Sequence, residues 1–144
     1  MRTGQIATAG GIGLLMTLVA TTPVVMGAAT QDDFALKTTR DLVNLCSAAP
    51  GDPLRDQAQE LCLGYITGAA QLHRFLVASK KLAGGPLACP DPTVTRDFFA
   101  QEFVTWANAH TQYMSDPPIV TMTRAASDKF PCPKSGSSKH KSQK

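Results

Sequence analysis

The sequence lacks every short motif that fixes a chemistry. It has no C-x-x-C or H-x-x-x-H pair, and cysteine gaps of 16, 27 and 43 residues fit no common zinc finger. Close vicinal thiols are missing, which argues against a redox-active pair. His73 and His110, the two histidines outside the C-terminal tail, have no Ser, Cys or paired-carboxylate partners in the pattern of a hydrolase. The only glycine-rich stretch, Gly10-Gly11-x-Gly13, falls in an apolar N-terminal run and cannot cradle phosphate. Strand-like alternation of useful length and internal repeats are also absent. Net positive charge is missing where it would matter. The formal charge is +3, but Arg2 belongs to the N-terminal segment and Lys134, Lys139, Lys141 and Lys144 to the tail. Residues 30–133 hold nine basic and eleven acidic side chains, which excludes a basic nucleic-acid-binding face. The expectation is a chain with no catalytic residue, no metal and no cofactor.

The chain does carry an export pattern. A short cationic start, Met1-Arg2-Thr3, precedes an apolar run from Ile6 to Met26, and small residues come next at Gly27, Ala28 and Ala29. This describes a cleavable secretory signal over residues 1–29. Gly10, Gly11, Gly13 and Pro23 weaken the alternative of a membrane-spanning helix, and no other segment is apolar enough to cross a bilayer. Residues 134–144 are rich in Ser and Lys and contain no apolar side chain, so a disordered basic tail is expected there. Between them, residues 30–133 suffice for one domain.

That domain reads as all-α, four helices in two hairpins. The first helix is expected from about Asp32 to Cys46, opened by a capping box of Thr30 and Asp33. Ala49-Pro50-Gly51 stops it. Asp52 and Pro53 open the second, whose apolar positions Leu54, Ala58, Leu61, Cys62, Tyr65, Ala69, Leu72 and Leu76 keep a period near 3.6 up to Lys80-Lys81. At ~1.5 Å per residue this is a spine of roughly 42 Å. A third helix runs from Arg96, capped by Thr95, to about Ala109, with Phe99, Phe103, Trp106, Ala107 and His110 as its buried stripe. A fourth begins at Ser115 or Asp116 with the stripe Ile119, Met122, Thr123, Ala126 and Phe130, and Pro131-Cys132-Pro133 closes it.

Four cysteines in a small exported chain imply two disulfides. Folding the first two helices back on each other brings Cys46 level with Cys62. Cys89 precedes the third helix and Cys132 comes after the fourth, at the adjacent ends of an antiparallel hairpin. Cys46–Cys62 and Cys89–Cys132 are the geometrically simple pairs.

Three segments then resemble a known family. Cys62-Leu63-Gly64-Tyr65-Ile66-Thr67-Gly68 lies inside the long helix, Cys89-Pro90-Asp91-Pro92-Thr93-Val94-Thr95 comes after it, and Ala125-Ala126, Phe130, Pro131, Cys132 and Pro133 close the domain. Their order and spacing are similar to the Rap/Tai immunity proteins of type VI secretion, over about Asp41–Pro133. The resemblance implies a small, helical, disulfide-linked periplasmic protein that binds and blocks a secreted peptidoglycan-cleaving amidase. It implies no enzymatic activity of its own. A general periplasmic stress or chaperone-like protein is the alternative, and a homodimer is compatible with either.

Single residues sharpen the expectation. Gly64 and Gly68, one turn apart beside Tyr65, read as a side-chain-free strip on which a neighbouring helix packs. Trp106 reads as core, and His110 as the end of the third helix. Partner contact is expected at the turn Thr111–Pro118, where Gln112, Tyr113, Met114 and Asp116 precede two prolines, with Tyr113 as the anchor. His73 and Arg74 on the long helix are the second candidate surface.

Overall fold

A computed structural model describes residues 28–133. The expected signal segment, apart from Ala28 and Ala29, and the expected disordered tail lie outside the described residues. Four α-helices stand in order: α1 (Thr39–Cys46), α2 (Arg55–Ala78), α3 (Arg96–Ala109) and α4 (Pro118–Lys129). Single 3-10 turns at Gln31–Ala35 and Thr111–Tyr113 precede α1 and α4. The described residues contain no strand.

The first expected helix is in fact broken. Thr30 and Asp33 do form their capping box, but they cap only the 3-10 turn. Leu36 then adopts φ 48°, the left-handed region, and ends it. The chain restarts with a second box, in which Thr38 and Asp41 exchange hydrogen bonds at the head of α1. The Asp33 carboxylate is buried and is held by the Thr30 amide at 2.7 Å and the Asn44 side chain at 3.0 Å. Ala29, grouped with the leader on sequence, belongs to the core: it is buried, and its amide donates to Asp52 Oδ2 at 2.8 Å. Asp52 Oδ1 accepts from the Leu54 amide and so also starts α2, two residues later than expected.

Both disulfides pair as the hairpin geometry requires, Cys46–Cys62 and Cys89–Cys132. The first staples α1 to α2. The second ties the loop before α3 to the segment after α4, where the Cys89 amide also donates to the Phe130 carbonyl. Around them α1 and α3 each pack against all three other helices, while α2 and α4 flank this pair. Leu42 and Leu45 of α1, Ala58 and Cys62 of α2, and Phe103 and Ala107 of α3 form the sealed centre.

Two expected faces are corrected. A Cβ built on Gly64 or Gly68 meets nothing within 4 Å, so no helix lies on that strip; both glycines face outward. In α4 the buried residues are Pro118, Thr121, Met122 and Ala125. The expected stripe holds at Met122, but the buried face is turned toward Thr121 and Ala125, and Ile119 points out. The cause is a buried polar pair: the Thr39 hydroxyl lies 2.8 Å from that of Thr121, with both residues fully enclosed.

Helix lengths then decide what remains uncovered. At about 1.5 Å per residue, the eight residues of α1 span about 12 Å and the 24 of α2 about 36 Å. The fully buried positions of α2 are Ala58, Cys62 and Ile66, all in its first half. Its second half overhangs the bundle.

Candidate functional site

The turn expected to bind a partner is largely consumed by the fold. The first amides of α1 have no intrahelical acceptor. The turn supplies one to each: Thr39 N–H donates to the Asp116 carbonyl at 2.7 Å and Arg40 N–H to the Met114 carbonyl at 3.1 Å. The Thr39 hydroxyl adds a 3.0 Å contact to the same Asp116 oxygen. Met114 is buried within the core cluster, against the expectation that it contacts a partner. An exposed thioether there would forfeit its apolar burial.

Tyr113 is not a projecting anchor either. Its ring stacks on Trp106 at 5.8 Å between centroids, and the His110 ring stacks on the same side chain at 3.9 Å. The Arg124 guanidinium lies 4.8 Å from the Tyr113 ring centre, a cation–π contact from α4. Trp106 Nε1 donates to Asp128 at 3.0 Å. The group staples α3 to α4, and Trp106, expected in the core, is half-buried at its edge. His110 ends α3 as expected, its Nδ1 hydrogen-bonded to the Trp106 carbonyl at 2.7 Å. Of the four candidate contact residues in this turn, only Gln112 is fully exposed; Asp116 is half-buried.

The second candidate pair leads to a different surface. His73 and Arg74 sit on the overhanging half of α2. Arg74 is exposed, whereas His73 is half-buried and works for the fold: its Nε2 accepts the Leu87 amide at 3.0 Å. The Leu87 carbonyl in turn accepts from Ser127 Oγ at 2.6 Å. The loop after α2 is thereby fixed to both α2 and α4. Gly84 and Gly85, each at φ 89°, let it turn back.

Between that loop, α2 and α4 runs an open groove of about 220 Å³, lined by Leu72, Leu76, Leu87 and Ile119 among others, with Phe99 and Met122 also on its wall. Leu72 is 56% exposed and Phe75, one turn further along α2, 58%. Leu87 and Ile119 are exposed as well. Buried Ile66 and Met122 are among its lining residues, yet Leu72, Leu87 and Ile119 on the same groove face water. Contiguous apolar surface of this kind marks an interaction site on a folded domain. The sequence pattern assigns Leu72 and Ile119 to the core and does not single out Phe75. The readable signal is the mismatch in helix length: α1 is too short to cover all of α2.

Tyr65 of α2 lies beside the backbone of Ile119, a residue of the groove wall. Burial pushes its phenol pKa up, partly offset by the backbone of Ile119 beside its hydroxyl. In the loop before α3, the Asp91 carboxyl is held below its usual range by the Thr93 hydroxyl and then the Thr93 amide. Among the described residues, no group of three or more His, Cys, Asp or Glu side chains is placed to hold a metal ion, and no helix is long and apolar enough to cross a membrane. What the site offers chemically is apolar contact area and charge at its edge.

The family described as Rap1a immunity proteins matches residues 38–132, from the cap of α1 through the last cysteine. Comparison with curated proteins and with solved structures finds no match.

Proposed function

The chain belongs to the Rap1a immunity protein family, and from that premise we propose that it protects its cell by binding and occluding a peptidoglycan-degrading amidase effector of type VI secretion. The family match, which spans nearly all of the described domain, carries this reading. The export pattern at residues 1–29 supports an encounter in the periplasm, where the amidase meets its substrate and where disulfides persist. Two disulfides and a hydrogen-bonded loop hold the candidate surface in one shape. Such a surface loses little entropy on binding. The protein needs no chemistry of its own, because covering the hydrolase groove is enough to deny entry to a stem peptide.

The exposed apolar groove also suits a second reading, a chaperone-like protein that shields unfolded clients. One experiment separates the two. A type VI amidase effector from the same genome is exported to the periplasm of a test strain, with and without the full chain. The immunity reading expects lysis without the chain and normal growth with it, and no protection against an unrelated periplasmic hydrolase. Lysis in both cultures rejects immunity, and protection against both hydrolases favours the chaperone.

A further inference from the structure

We infer that the Cys89–Cys132 disulfide is a redox-sensitive latch: a dithiol reductant opens it while Cys46–Cys62 stays closed, and opening it releases the loop between α2 and α3 without unfolding the bundle. The inference stands on the surroundings of the two disulfides and is independent of the immunity reading.

The two bonds differ in what can reach them. Exchange begins when a thiolate attacks one sulfur of the disulfide, so its rate follows access to that sulfur. Cys62 is 1% exposed, and Cys46 packs half-buried against the core cluster. The space beside this pair is a crevice of about 90 Å³. Cys89 is exposed and lines an open cavity of about 680 Å³ between α2 and the loop. Charge does not separate the two places. Asp97 lines the crevice but lies 3.7 Å from Arg96, and Arg74 and Asp91 both line the cavity. Access does.

Within the exposed pair, Cys89 Sγ is the sulfur open to attack, because Cys132 is half-buried with its Sγ 3.5 Å from the Pro86 carbonyl oxygen. One thiolate of the dithiol bonds to Cys89 Sγ and the S–S bond breaks. The electron pair leaves on Cys132 Sγ, which takes a proton from water. The second thiolate of the reductant then attacks its own partner sulfur in the mixed disulfide and expels Cys89 as a thiolate, which is protonated in turn. The protein disulfide gains two electrons and becomes two thiols; the dithiol loses two and becomes a disulfide.

Opening this bond spares the core and loosens the loop. Neither Cys89 nor Cys132 belongs to the core cluster, and Cys46–Cys62 still staples α1 to α2. The loop loses its covalent tie to the segment after α4. It keeps buried Ala88, the bond from the Cys89 amide to the Phe130 carbonyl, and the two bonds of Leu87 to His73 and Ser127. Both Leu87 bonds are exposed to water. Segments held by solvent-exposed hydrogen bonds and few buried contacts open locally at low cost. The loop supplies Leu82 and Leu87 to the groove, and Pro86, Ala88 and Pro90 to the larger cavity. Both surfaces therefore take their shape from the oxidised form.

The test treats the full chain, with both disulfides formed, with dithiothreitol under native conditions. Samples are alkylated at intervals and mapped by mass spectrometry. Cys89 and Cys132 should be labelled about tenfold or more faster than Cys46 and Cys62. The chain alkylated at that one opened bond should keep its helical circular dichroism and melt cooperatively. Its amides over residues 80–94 should exchange hydrogen about tenfold or more faster than in the oxidised chain. Equal labelling rates, or earlier labelling of Cys46 and Cys62, overturn the inference. Loss of helix when the bond opens also overturns it, as does unchanged exchange in the loop.

Discussion

Replacing Thr39 by valine keeps the shape of a fully buried side chain and deletes one hydroxyl. That hydroxyl lies 2.8 Å from Thr121 Oγ1 and 3.0 Å from the Asp116 carbonyl. The carbonyl keeps its 2.7 Å bond from the Thr39 amide, so it is not orphaned. The Thr121 hydroxyl is. Its remaining partner, the Tyr113 carbonyl, stands at 3.4 Å, too far for a good O–H···O bond. Leaving a buried hydroxyl without a proper partner costs about 1–3 kcal/mol, whereas replacing both partners by apolar groups of the same shape is nearly neutral. Thr39→Val should therefore destabilise by about 1–3 kcal/mol, and at about 4–8 °C per kcal/mol lower the melting temperature by roughly 10 °C. Thr39→Val with Thr121→Val removes both hydroxyls and should cost clearly less than the two single changes added together. The assay is thermal and urea unfolding monitored by circular dichroism with the disulfides intact. Additive single effects, or a neutral Thr39→Val, would refute the claim that this pair sets the phase of α4 and locks the Thr111–Pro118 turn onto α1.

Gly68→Ala should stabilise the protein by about 0.8–1 kcal/mol, because it restores helix propensity on a face with nothing within 4 Å; a lower melting temperature would mean that a helix covers the strip after all. Replacing Cys46 and Cys62 together by alanine opens a loop of 16 residues and should cost about 3 kcal/mol in urea unfolding, with an unchanged midpoint as the contrary result. The raised pKa of Tyr65 means that the folded state holds this proton longer than the unfolded chain does. The stabilisation it contributes is complete below the usual phenol value of about 10 and is lost as pH rises through the higher folded value. Tyr65→Phe should flatten the fall of stability above pH ~10, and an unaltered slope would show that another group causes it.

The features that sequence makes legible are those whose partners are close in the chain or fixed by chain direction. Thr30, Asp33 and Thr95 cap the turns that begin within three residues of them, and the two disulfides come from folding two hairpins. The misreadings all involve partners that are distant in sequence or a break that no residue type announces. Leu36 interrupts the first helix with no Gly or Pro to mark it. Thr121 is buried although polar because Thr39, 82 residues earlier, meets its hydroxyl. Periodicity ranks Ile119 above Thr121 as the apolar residue of the first turn, so it turns α4 toward Ile119 and hides that residue's exposure. Tyr113 has the composition of a contact residue, yet Trp106 and Arg124 claim it from α3 and α4. The glycines at 64 and 68 show that composition alone does not tell a packed strip from a bare one. For the candidate site, sequence points to His73 and Arg74 as a second choice. It does not supply the apolar surface around them, because a helical stripe looks the same whether or not a neighbour is long enough to cover it.

The central claim, that this chain neutralises an exported amidase by direct occlusion, is tested most directly by hydrolysis of purified peptidoglycan. A type VI amidase effector from the same genome is held at fixed concentration, and the release of amino groups is recorded as the full chain is added. The account predicts a linear fall in activity that reaches zero at one chain per amidase. Unchanged hydrolysis in the presence of excess chain would contradict it.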